Sequence, residues 1–484
     1  MTPLDSSTAD APPSGRARGD AAVPFVLLAI GSLILSIPAF WNGFPLVFYD
    51  SSSYIADAIQ GHAFWARSPV YSVFILMLHR RLSLWPVVLV QGALVTYLLY
   101  LTTRVVLGRV APLRFTMLLV LLAALTSLPW HSGQIMADIF TPMVILGCFL
   151  LGVAQDRLSF GEWMAVVGIT GLAIAVHHSG WPLAAGLVLV ALFLQRRVPG
   201  AWNPKRIAVR VAPLFLAWAL YAGASAFDGG RWSVGHLAMT VPDVVQPWTR
   251  IAPYGDIFLL ARLLEDGPAR DYLRATCPAA GFLLCPYLDA IPPTGDGFLW
   301  SPTSPLWTVG GVEPLRGEAH VITAAAVRAE PLRVLTCAVR NSVLQLARFR
   351  TGDSLHPYLE TDDDGGQWVP IVLRRYFPEA YPQFLAARQA TGRIDLRWIR
   401  RLDAAVAALG AVGLLLLARR FRTTGDRIGF ALAVVLLAGI VVNGVASGSF
   451  SAPHDRYQSR VIWLAVFGAL VGAVRAPDKR SDQA

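Results

Sequence analysis

The chain has 484 residues, 55% of them hydrophobic and only 15% charged, with a mean hydropathy of +0.51. That much apolar surface excludes a single water-soluble core and makes membrane insertion the first reading. The formal net charge of +10 does not imply nucleic acid, because residues 227–400 hold 17 arginines against 18 acidic side chains and the excess lies in the apolar part and the tails, where it is a topology signal.

Residues 1–21, MTPLDSSTADAPPSGRARGDA, are rich in Pro, Ser, Gly and Ala and read as a disordered cytoplasmic tail. A bilayer needs about 20 mostly apolar residues per crossing helix. Ten such runs follow, near 22–41, 85–106, 112–130, 138–155, 162–178, 180–196, 207–226, 402–419, 428–446 and 459–475. The first is longer than a signal-peptide core and follows a long polar leader, so it reads as a true helix. The run Pro69–His79 is too short to span and ends in Arg80 and Arg81, which suits a helix lying at the interface.

This register puts Arg16 and Arg18, then Arg104, Arg109 and Arg114, then Arg196, Arg197, Lys205, Arg206 and Arg210 on one side. Arg419, Arg420, Arg422 and Arg427, and last Arg475, Lys479 and Arg480, join them. Short cytoplasmic loops carry such an excess, so both termini are expected in the cytoplasm. The expected fold is an all-α polytopic membrane protein of about ten transmembrane helices with a large outer, periplasmic insertion between helices 7 and 8. Its parts are a seven-helix module (22–226), an α-rich insertion (227–401), three further helices (402–475) and a cytoplasmic tail (476–484). Arginine outnumbers lysine 39 to 2, a bias associated with bacterial coding, and the bacterial inner membrane is the expected location.

Within the insertion, DIFLLARLLEDG and RVLTCAVRNSVLQLARF have the period of amphipathic helices suited to lying on the bilayer. IPPTGDG, TGDSLHP and ETDDDGGQW mark loops. Trp232, Trp248, Trp300, Trp307 and Trp368 suit stacking on sugars as well as core or interface anchoring. The run Asp362–Asp364 lacks the spacing of a calcium loop and reads as a solvated turn. Cys148 reads as a buried thiol in a helix. Cys277 and Cys285, in CPAAGFLLC, either bridge in an oxidising periplasm or stay two buried thiols. There is no zinc or haem spacing and no repeat of fixed period.

Four loops on the expected outer side concentrate polar residues at helix ends. The first, NGFPLVFYDSSSYIADAIQGHAFWARSPVYS, brings Asp50, Tyr54, Asp57, His62 and Arg67, and WHSGQIMADIFTP brings His131, Gln134 and Asp138. AVHHSGWP adds His177 and His178; SGSFSAPHDRYQSRV adds His454, Asp455, Arg456, Tyr457 and Arg460. Charges near the hydrocarbon edge are costly, and a set shared by four loops points to a water-filled cleft. Arg456 and Arg460, four residues apart, share one face if that stretch is helical. His177 and His178 are adjacent and would point about 100° apart on a helix, which fits a loop bend better than a shared metal; packing beside Trp181 is the plainer role.

FYDSSSYI, followed by ARSPVYSVFILMLHRRLS, then MADIFTP and finally HDRYQSRVIWL, resembles the GT-C superfamily of integral-membrane glycosyltransferases in the first outer loop, the second outer loop and the element before the last helix. The resemblance implies an inverting transferase that moves a sugar from a polyprenyl-phosphate donor to a lipid-linked or cell-envelope glycan acceptor on the outer face. It makes Asp50 and Asp138 the catalytic acids, although Asp138 also suits capping of the fourth helix. Such transfer needs a base for the acceptor hydroxyl and cationic groups for the leaving phosphate. Asp50 is the expected base, Arg456, Arg460 and His454 the phosphate ligands, and Tyr54, Asp57, Arg67, His177 and His178 the substrate-binding residues. The family often pairs acids in the first loop; here Asp50 is followed by three serines and the next acid is Asp57, so the cofactor stays unknown and no ligand pattern indicates a divalent metal. The competing readings are a transporter or lipid flippase, which calls for matched repeats and ionisable groups at mid-membrane, and a non-catalytic scaffold, for which ten helices are excessive.

Overall fold

A computed structural model describes residues 25–61, 64–196, 202–225, 227–228, 231–232, 254–358 and 368–475. His62, Trp248, the run Asp362–Asp364 and both tails lie outside the described residues, as do the side chains of Trp232 and Trp368.

The apolar run near 22–41 forms two helices, α1 (Phe25–Leu35) and α2 (Ile37–Asn42). Pro38 has no N–H to donate and its ring excludes the carbonyl one turn back, so the helix is interrupted at Ser36. The run near 112–130 breaks for the same reason at Pro129, into α6 (Pro112–Leu125) and α7 (Leu128–Ser132). Between them come α3 (Tyr49–Gln60), ended by Gly61 at a φ of 75°, α4 (Pro69–His79), capped by the Ser68 hydroxyl, and α5 (Trp85–Leu107).

A short 3-10 turn at Ala137–Ile139 leads into α8 (Phe140–Val153). Next are α9 (Phe160–Ala175), started by a Ser159/Glu162 capping box, α10 (Gly180–Gln195) and α11 (Pro204–Ser225). Two-residue strands, β1 (Phe227–Asp228) and β2 (Arg231–Trp232), pair antiparallel. The inserted segment continues with α12 (Gly255–Asp266), α13 (Pro268–Thr276), α14 (Gly295–Trp300), α15 (Pro305–Thr308), α16 (Val312–Ala329) and α17 (Pro331–Ala347). After these come α18 (Trp368–Tyr376), α19 (Tyr381–Ala386), α20 (Arg397–Thr423), α21 (Arg427–Phe450) and α22 (Asp455–Val474).

Among the described residues, five helices, α5, α11, α20, α21 and α22, are long and apolar enough to cross a membrane. Six shorter helices are apolar as well. The set is compatible with a multi-pass membrane protein in a lipid bilayer. One apolar core runs through α1, α3 to α11 and α20 to α22 and takes in Val369 and Leu373 of α18, Phe377 just after it and Phe384 of α19. A second core gathers Leu260, Leu264, Phe298, Leu315 and Ile322 of α12, α14 and α16, with Trp65 from the first loop at its rim. Residues 254–329 therefore pack around their own centre, whereas 368–390 join the bundle. Cys277 and Cys285 form a disulfide, while Cys148 is a buried thiol and Cys337 a half-buried one.

Candidate functional site

Backbone pairing brings the first two polar loops together. The N–H of Leu46 donates to the Gly133 carbonyl at 3.0 Å, and Ile135 N–H returns to Leu46 O at 2.9 Å. The serines after Asp50 lock this junction: Ser51 Oγ accepts from Phe48 N–H at 2.9 Å and donates to the Ile135 carbonyl at 2.7 Å. From behind, Gln389 accepts the Val47 N–H at 3.0 Å and its own N–H donates to the Asn42 side chain at 2.7 Å. Asp50 thus leaves the first turn of α3 from a fixed base.

Five charged side chains form a chain of alternating sign. Arg67 pairs with Asp50 Oδ1; Asp50 Oδ2 lies 3.4 Å from Arg456 Nη1; Arg456 Nε lies 3.6 Å from Asp138 Oδ2; and Asp138 Oδ1 accepts from Arg460 Nη1 at 2.7 Å. Arg456 and Arg460 occupy the first two turns of α22, on one face. Arg456 is held over Phe48 and Tyr457, 4.5 and 5.0 Å from their ring centres. Arg460 and Asp138 are 0% and 1% exposed, whereas Arg67, Asp50 and Arg456 keep an edge open. Three guanidiniums face two carboxylates, so the chain carries one positive charge in excess.

Around Arg460 the polar groups close a ring. Arg460 Nη2 donates to Asn443 Oδ1 at 3.0 Å and to Ser179 Oγ at 3.2 Å, and Nη1 lies 3.3 Å from His177 Nε2. Ser179 faces the other ring nitrogen, its backbone N–H donating to His177 Nδ1 at 3.2 Å and its Oγ lying 2.8 Å away.

The other expected site residues make no ion pair within the chain. Tyr54 is buried edge-on against Tyr71, ring centres 4.6 Å apart; burial raises its pKa, so it stays protonated beside Arg67. Asp57 accepts the Phe64 N–H at 2.9 Å and burial pushes its carboxyl up to about 7. His178 packs against Tyr221, ring centres 6.1 Å apart. His454 precedes α22 and faces Asp296 at 2.9 Å and Asp353 at 3.9 Å, both from the inserted segment, instead of the guanidiniums. Asp138 makes no capping bond at the start of α8; its carboxylate is spent on arginine. His131 Nε2 lies 3.0 Å from Ser459 Oγ, and Gln134 bonds Ser354 Oγ at 3.0 Å, so both hold loops together.

Sequence reasoning passed over Asn443, Ser179, Asp353 and Phe48. Asn443 had a signal, a lone amide inside the apolar run VLLAGIVVNGVA. Asp353, which accepts the Arg456 backbone N–H at 3.1 Å across 103 residues, had none.

Asp138 Oδ2, Arg67 Nε and Arg460 Nε have no hydrogen-bond partner among the described residues. Those three atoms are buried; the open edge belongs to Arg67, Asp50 and Arg456, where the two guanidiniums can exchange contacts between an anion and Asp50. Among the described residues no three His, Cys, Asp or Glu side chains gather to hold a metal ion. Comparison with protein-family models, curated proteins and solved structures found no match for this chain.

Proposed function

We propose that the chain is a multi-pass inner-membrane glycosyltransferase of the GT-C kind, with ten membrane segments, both termini cytoplasmic and residues 227–401 on the outer face. It would move a sugar from a polyprenyl-phosphate donor to a lipid-linked or cell-envelope glycan acceptor. The observation that carries this reading is the Arg67–Asp50–Arg456–Asp138–Arg460 chain, with its excess positive charge, at one end of an apolar bundle.

The roles divide by exposure. Arg460 and Asp138 are sealed in and hold Arg456 in place; Arg67 and Arg456 keep an open edge and are the phosphate ligands. When a donor phosphate draws these two guanidiniums, Asp50 is left free to take a proton. The acceptor hydroxyl then attacks the anomeric carbon, the bond from that carbon to the phosphate oxygen breaks with inversion, and the hydroxyl proton passes to Asp50. The charge that develops on the leaving phosphate is met by Arg67 and Arg456.

The test is a titration of purified protein in nanodiscs with short-chain polyprenyl-phosphate sugars. Wild type should bind saturably, Arg456→Ala should bind weakly or not at all, and Asp50→Asn should bind but not transfer. Absence of binding to every donor tried, or uptake of a solute by vesicles holding only this protein, would sink the reading in favour of a scaffold or a transporter.

A further inference from the structure

Helix α17 is built inside out. Its buried residues are polar, Asn341, Ser342 and Gln345, while Leu332, Leu335, Val339 and Val343, spaced three, four and four residues and so in one row, are 56–78% exposed. The buried polar groups are satisfied. Asn341 donates to the Asp266 carboxylate at 3.0 Å, Ser342 Oγ lies 3.1 Å from Ser449 Oγ, and the Gln345 amide bonds the His454 backbone in both directions, at 2.8 and 2.9 Å. Its neighbours α12 and α16 follow the opposite rule, burying Leu260, Leu264, Leu315 and Ile322. An aliphatic row turned outward over a polar inner face is stable only where the outside is apolar.

Helix α21 shows what that outside is. It is among the helices long and apolar enough to cross a membrane, and α17 packs on it at near-contact distance. A Cβ on Gly448 would lie 2.6 Å from the Asn341 carbonyl, and one on Gly444 would lie 2.6 Å from Leu346. As α17 runs from 341 to 346, its partner on α21 goes back from 448 to 444, so α17 descends along α21. The outer side chains of α21 in this region, Val441 and Val445, are exposed aliphatics too. The start of α17 stays polar, where Arg333 pairs with Asp271 and Glu330, each at 2.8 Å; Thr336 and Arg340 are exposed as well, Arg340 at the flank of the aliphatic row, from which its long stem reaches toward the headgroups.

We propose that α17 is a membrane-embedded helix of the inserted segment, its Leu332–Val343 row in the acyl region of the bilayer and Val343 deeper than Leu335. Its polar inner face supports, through Gln345 and His454, the turn from which α22 sets out Arg456 and Arg460. Acyl chains, and the chain of a lipid-linked substrate, then lie beside the turn that carries the site. This inference rests on the membrane reading above.

The experiment uses the full chain in vesicles, in a Cys148→Ala/Cys337→Ala background that keeps the Cys277–Cys285 disulfide. Single cysteines are placed as Leu335→Cys, Val339→Cys, Val343→Cys, Val441→Cys and Arg328→Cys, labelled with a fluorophore and quenched by brominated phosphatidylcholine or by aqueous iodide. Bromolipid quenching at 339 and 343 is expected within about twofold of that at 441 and at least about fivefold above that at 328, rising from 335 to 343. Iodide quenching at 339 and 343 while 441 answers only to bromolipid overturns the embedding of α17 and leaves the membrane reading intact. Silence to both quenchers together with cross-linking between copies would put a second chain on α17, which also overturns it. Iodide quenching at 441 as well would remove the membrane reading and this proposal with it.

Discussion

Both ends of the helix bundle are fastened by arginine and carboxylate, but in different ways. At one end the pairs are closed. Arg104 is bidentate on Glu162, Arg475 on Asp426, and Arg206 reaches Asp156 at 3.0 Å. Two of those acids also start helices: Glu162 completes the capping box of α9, and Asp426 accepts the Gly429 N–H at 3.1 Å at the start of α21. At the other end Asp50 and Asp138 are each shared by two arginines, neither caps a helix, and donors are left over. A carboxylate that caps a helix and holds one arginine is accounted for by the fold; one held between two arginines with an open edge is not. The difference separates structure from candidate chemistry where residue type does not.

The largest effect should come from Asp138→Asn, which strands the fully buried Arg460. Breaking such a pair from one side costs about 3–5 kcal/mol, against about 1–2 kcal/mol for Glu162→Ala, which loses a partly open pair and a capping contact. SDS titration of the folded protein in mixed micelles reads both. Equal losses would erase the distinction between the two ends.

Activity should divide the ends the other way. Asp50→Asn is expected to lower glycosyl transfer at least about 100-fold, the usual reach of a general base, with stability near wild type. Asp426→Ala should lose about 1–3 kcal/mol of stability, as a missing cap together with the Arg475 pair, and leave turnover per folded molecule unchanged. Transfer by Asp50→Asn at the wild-type rate would remove that residue from its role.

A smaller, pH-dependent effect belongs to Asp57, beside the site end. Burial raises its carboxyl to about 7 in the folded protein, so the neutral form is favoured by folding. The stability this contributes is complete below the unfolded carboxylate range and is lost as pH rises through about 7. Asparagine keeps an oxygen for the Phe64 N–H and cannot ionise. Asp57→Asn should therefore gain stability relative to wild type between pH 5 and pH 8.5, as read by thermal unfolding at both pH values. A gap that stays constant with pH would contradict the burial argument.

The residues of the ion chain were legible in the sequence because charge at the end of an apolar run is costly and therefore conspicuous. Asp50, Arg67, Asp138, Arg456 and Arg460 all stood out this way. Their partners were less so. His454 turns to Asp296 across 158 residues of chain and to Asp353, and nothing local in either stretch announces it. Hydropathy also ran through the breaks at Pro38 and Pro129, since proline interrupts a helix without making the segment polar. For α17 the period showed an amphipathic helix, but a period identifies two faces and not which one turns inward. That choice was made by Asp266, Ser449 and the His454 backbone, all distant in sequence.

The smallest effect expected is at the closed end, from Arg206→Ala. Its pair with Asp156 is half open to solvent on both sides, and exposed pairs contribute about 0–1 kcal/mol. Arg456→Lys at the site end makes the same kind of contact fail for a different reason. Lysine keeps the charge but lacks the planar fork that Arg456 spreads between Asp50, Asp138 and the Phe48 ring. Donor binding should fall with Arg456→Lys and stay at the wild-type level with Arg206→Ala, measured in one titration series. If lysine at 456 bound donor as well as arginine does, the site would need only a positive charge there, and the shared geometry that sets this end apart would be incidental to binding.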